Sequence, residues 1–192
     1  MDLTEIGQII YKQIIEPEEI LGEMTKAINQ GAGSNGKQEM LCAATEKAAI
    51  DSLDENRMKQ ECFYLWIFLT TYCIQKQFGE LGNERTRQIL DSVHRCIGER
   101  MLRIDQRRDF QNEINFRFNQ YYKAIRTDIQ CLGQPDTILF RDLTALFFEN
   151  LLERQIGLSE FGASRLLFGM YVAELISLLS DNLSKLRKNH VI

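Results

Sequence analysis

Two stretches of the chain are apolar on nearly every side when wound as helices. The first lies within residues 61–78 and contains Cys62-Phe63-Tyr64-Leu65-Trp66-Ile67-Phe68-Leu69. The second, over 159–187, is rich in leucine and carries Phe161, Leu166, Leu167, Phe168, Met170 and Leu175. A helix without a polar face needs neighbours all round it, so both belong inside a bundle. The longest apolar run, Cys62 to Ile74, is broken by Thr70 and Thr71. It falls short of the ~18–20 apolar residues of a membrane span, so no membrane insertion is expected.

The rest of the chain agrees with helices. It has only 2 Pro in 192 residues, Pro17 and Pro135, and no sustained alternation of apolar and polar residues that would read as a strand. The expected fold is all-α: a single-domain multi-helix bundle over 1–192, with about six or seven helices, two of them largely buried. Asp2 caps the first helix, to about Ile15. Pro17 suits the first turn of a second, which runs to about Gln30. A flexible Gly-rich loop follows at about 31–36. Helix resumes at Lys37 and continues to about Phe78, with a break near 51–56. Asn83 can cap the next helix, 84–102, with Ile89, Leu90, Val93, Cys96 and Ile97 on one stripe. A further helix covers about 105–131, and Phe116 points away from its apolar side. Asp136 is expected to open a helix ending at Gly157, and Ser159 to cap the last one.

Composition narrows the function classes. The five cysteines form no CxxC pair and sit mostly in apolar surroundings, as buried thiols of a reducing compartment do. The start, Met1-Asp2-Leu3-Thr4-Glu5, has neither the basic residues nor the apolar core of a secretion signal. A cytoplasmic location is therefore expected. Net charge is −4. Residues 84–126 are the only basic segment, with 10 bases against 6 acids, while 1–61 hold 12 acids and 6 bases. An acidic chain overall is a poor nucleic-acid binder.

Several motifs invite chemical readings. Gly31 to Lys37, Gly-Ala-Gly-Ser-Asn-Gly-Lys, satisfies G-x-G-x-x-G and nearly satisfies a phosphate-loop pattern. It lacks the preceding strand, and Gln38 stands where a magnesium-binding hydroxyl belongs, so an interhelical loop is the better reading. Asp91 and His94 could form one edge of a metal site, but only 2 His are present and no metal or cofactor is expected. So few histidines also leave nucleophilic catalysis without a credible base.

Two readings remain. In the first, the protein is a non-enzymatic helical protein that acts through protein–protein contacts, including as a homodimer. The arginine series from Arg85 to Arg108, with Arg100, Arg103 and Arg107 foremost, would meet an acidic partner, with the off-stripe Phe116 beside it. A line of small residues, Gly162, Gly169, Ala173 and Ser180, would allow close helix packing within the fold or across a dimer. In the second, the aromatic set encloses an apolar or anionic small molecule between helices. Trp66 and Tyr122 would line the pocket and Arg100 would supply charge. Arg100 lies on an apolar stripe, where an arginine must snorkel, pair with a buried acid or meet an anion.

Overall fold

The computed structural model describes residues 2–12, 17–31, 48–79, 83–104, 110–131, 140–157 and 160–190. These residues form an all-α fold. The helices are α1 Leu3–Ile10, α2 Pro17–Gly31, α3 Glu55–Phe78, α4 Glu84–Ile104, α5 Phe110–Cys131, α6 Arg141–Leu152 and α7 Gly162–His190.

Local chemistry sets most of these boundaries. Asp2 accepts from the Thr4 amide at 3.3 Å, and Glu5 accepts from the Asp2 amide at 3.2 Å, so α1 opens on a reciprocal capping box. Pro17 is the first residue of α2, where its missing N–H costs nothing. α3 ends at Gly79, whose φ of +113° suits glycine alone. Asn83 then accepts from the Arg85 amide at 3.0 Å and opens α4. The helix expected over 136–157 is shorter: α6 stops at Leu152 because Glu153 turns left-handed at φ +53°, four residues before Gly157. Asp136 and Ser159, expected to act as caps, lie outside the described residues, as does the loop from residue 32 to residue 36.

Packing groups the residues into two compact units. One comprises Met1–Pro17, Trp66–Asn115 and Leu175–Ile192; the other comprises Glu18–Leu65 and Phe116–Glu174. The helices α3, α5 and α7 each contribute one part to each unit.

In the first unit α1 lies close on α4. A Cβ on Gly7 would sit 2.5 Å from Ser92 Cβ and 2.9 Å from the Ile89 carbonyl oxygen, so only glycine permits the approach. Ser92 Oγ donates to the Thr4 carbonyl at 2.8 Å. The second half of α3 meets α7 through Cys73, whose Sγ lies 3.9 Å from both the Ile176 carbonyl oxygen and Ser180 Oγ. Arg187 donates to the Gln77 carbonyl at 2.9 Å.

The second unit has an aromatic core. Phe147 stacks on Phe168 at 4.6 Å between ring centroids, Phe148 stacks on Phe161 at 5.5 Å, and Phe147 meets Phe148 edge-on at 5.6 Å. All four rings are buried.

Within α3, every residue from Tyr64 to Thr71 is buried. α7 divides its apolar surface. Phe168, Val172, Leu175, Leu179, Leu183 and Leu186 are buried at helical spacing, while Leu166, Leu167, Met170 and Leu178 are exposed. By length and composition the stretch Ser164–Asn189 could cross a membrane, with a mean hydropathy of 1.3 over 18 residues and a third of that window buried.

Candidate functional site

The residues singled out in the sequence are dispersed. Arg100 and Arg103 lie on α4, but their side chains, and the whole of Arg107, fall outside the described residues. Trp66 is buried in the first unit. Tyr122 belongs to the second, half-buried with its ring edge-on to Phe118 at 6.4 Å. Phe116 is 55% exposed on α5, away from the apolar side. Along the small-residue line, Gly169 is buried and Ala173 half-buried, and Ser180 faces Cys73 of α3. That contact is intramolecular helix packing. Gly162 is exposed, with open space where a Cβ would lie.

The second unit holds a buried polar centre that the sequence reading passed over. Glu61 on α3 is 3% exposed and is held by one edge of the Arg117 guanidinium of α5. Arg117 Nη2 donates to Glu61 Oε1 at 2.5 Å, and Nε lies 3.2 Å from each carboxylate oxygen. Beside them, burial and then the Glu61 carboxylate push the fully buried Tyr121 hydroxyl well above its usual range. Asn150 lies near that hydroxyl and pulls the other way. Burial also pushes the Cys62 thiol up to about 12, against a weaker pull from Thr25. Arg57 extends the network, donating to the Asn150 carbonyl at 2.8 Å and pairing with Glu153 at 2.5 Å. Burial disfavours the thiolate and the phenolate, and the carboxylate is paired with a guanidinium. The centre fixes the packing of α3 on α5.

A second buried acid closes a helix end. Asp128 of α5 is 4% exposed; its two oxygens accept from the Asp142 and Leu143 amides, each at 2.9 Å. These are orphan N–H groups of the first turn of α6, so Asp128 caps that helix from another one. Burial raises its pKa, and the two amide bonds hold the rise back. Arg165, also buried, donates to the Arg141 carbonyl at 3.2 Å.

His94 keeps an exposed surface, yet its Nε2 lies 3.2 Å from Thr71 Oγ1. Desolvation on that side lowers its pKa, against the pull of Asp91. Among the described residues, no group of three or more His, Cys, Asp and Glu side chains is placed to share a metal ion.

Two outer faces stand out among the described residues. One is the exposed leucine and methionine surface of α7. The other, on α5, is an open groove of about 440 Å³ bounded by Asn119, Tyr122, Lys123, Arg126 and Thr127. Comparison of the chain with protein-family models, with curated proteins and with solved structures finds no match.

Proposed function

We propose that the protein is a non-enzymatic, cytoplasmic helical module that acts through protein–protein contacts, and that the outer face of α7 pairs with a second copy of the chain. The observation that carries this reading is the cluster Leu166, Leu167 and Met170, which are 45%, 37% and 49% exposed on adjacent positions of one helix. Exposed large apolar side chains grouped in this way mark contact surfaces in soluble proteins. The three side chains carry no charge, so their best complement is another apolar patch, and a two-fold axis supplies one from the same residues with Glu174 at its edge. Three side chains cover well under the ~800 Å² per partner of a standard stable interface. The pairing is therefore weak and concentration-dependent.

Two features favour a protein over a lipid bilayer as the occupant. The inner stripe of α7 is already committed to partners in its own chain, including Phe147 and Cys73. The exposed Glu174 stands one turn beyond Met170, and drawing it into hydrocarbon would cost about 2.5–3.5 kcal/mol. The described cysteines, Cys62, Cys73 and Cys96, are free thiols, as a reducing compartment would keep them.

Sedimentation velocity from low to high micromolar concentration tests the reading. The sedimentation coefficient of the wild type should rise with concentration, and that of Leu166→Glu/Met170→Glu should not, with melting temperatures matching. A wild type that stays monomeric throughout, or a variant that associates as well as the wild type, overturns it.

A further inference from the structure

We infer that the groove on the outer face of α5 is a binding site for a small, multiply charged oxyanion. Within the second unit α5 carries Arg117, Lys123 and Arg126 against one acid, Asp128. Arg117 is committed to Glu61, and Asp128 is turned inward onto the first turn of α6. Lys123 and Arg126 are left without a carboxylate partner among the described residues. They stand at i, i+3 on one helix face, so both reach the same ligand. Among the described residues no carboxylate borders the groove, although the chain as a whole is acidic.

The remaining lining fits the same chemistry. Asn119 adds an exposed amide donor, and the Tyr122 ring, edge-on to Phe118, forms an aromatic wall. Thr127 already donates to the Lys123 carbonyl at 3.2 Å, so the donors left for a ligand are those of Asn119, Lys123 and Arg126. Arg126 offers a planar fork that matches two oxygens of one phosphate or carboxylate, and Lys123 offers a compact point charge. A volume of about 440 Å³ accommodates a small molecule. Its open mouth leaves the charges in water, so binding should weaken steeply with salt.

The test follows backbone amide signals of the full chain by heteronuclear NMR at low salt, with pyrophosphate and citrate added in separate titrations. Saturable shifts should centre on residues 119–127. Lys123→Ala/Arg126→Ala should weaken binding by about tenfold or more, and Arg126→Lys by severalfold, because charge remains and the fork is lost. Lys185→Ala/Lys188→Ala removes two exposed cations of α7 and should leave the affinity unchanged. Tighter binding of pyrophosphate identifies a phosphate-bearing ligand, and tighter binding of citrate a polycarboxylate; either supports the site. If the double variant loses its fold, the two single alanine variants are read instead. Shifts that never saturate or that spread over cations throughout the chain, or an equal loss in the α7 control, overturn the inference.

Discussion

At the scale of single residues, the most consequential pair is Glu61 and Arg117. An arginine on an apolar stripe must snorkel, pair with a buried acid or meet an anion, and in the sequence Arg100 is the one that stands out. The structure realises it at Arg117. The signal was present: Arg117 falls three residues after Ile114 and four before Tyr121, both buried, so all three share a helix face. Glu61 likewise stands between Met58 and Leu65 on the buried side of α3. What the sequence lacked was the pairing, because nothing local joins residues 56 positions apart. A buried pair of this kind specifies packing more than it stabilises it, and breaking one side strands a charge. Glu61→Gln should therefore cost about 3–5 kcal/mol in urea denaturation, and Glu61→Leu/Arg117→Met should recover most of the loss. Single-site costs below about 1 kcal/mol would show that water reaches the pair.

At the scale of elements, the legible boundaries are those made by neighbours in sequence. The cap at Asp2, Pro17 at the start of α2, the stop at Gly79 and the cap at Asn83 all depend on residues within a turn of the helix end. α6 does not. Its start follows Phe140, which is itself left-handed at φ +54° and makes no side-chain cap. The capping carboxylate comes from Asp128 on α5, 14 residues before Asp142. No residue next to the helix start in sequence reveals it. Two separate oxygens serve two N–H groups, which leads to a graded expectation. Asp128→Asn keeps one acceptor oxygen and should lose about 1–2 kcal/mol of stability, and Asp128→Ala should lose more. Amide exchange at Asp142 and Leu143 should accelerate first in both variants. Unchanged protection at those amides would mean that α6 is held by its packed face alone. The outer surface of α7 was illegible for a different reason. A helix apolar nearly all round has no periodicity to choose its inward side; the partners, Phe147 and Cys73 among them, make the choice.

At the scale of the whole molecule, the all-α class followed directly from scarce breakers and from two helices without a polar face. The division of the residues into two units did not, because α3, α5 and α7 run from one unit into the other and leave no linker in the sequence. The same continuity should couple the units in unfolding, and the chain carries a reporter in each. Cys62 lies in the second unit with its thiol pushed up to about 12; Cys73 lies in the first, pushed up to about 11 by burial. Neither is a thiolate at neutral pH, so alkylation requires opening. Phe147→Ala in the second unit removes a fully buried ring stacked on Phe168 and should cost about 3–5 kcal/mol. If opening is shared, alkylation of both Cys62 and Cys73 should accelerate together, by a factor on the order of 100 or more, since each 1.4 kcal/mol is tenfold. Peptide mapping by mass spectrometry separates the two sites. Acceleration confined to Cys62, with Cys73 protected at the wild-type level, would mean that melting half of α3 and α7 leaves the other halves folded, and the two units would then be independent domains.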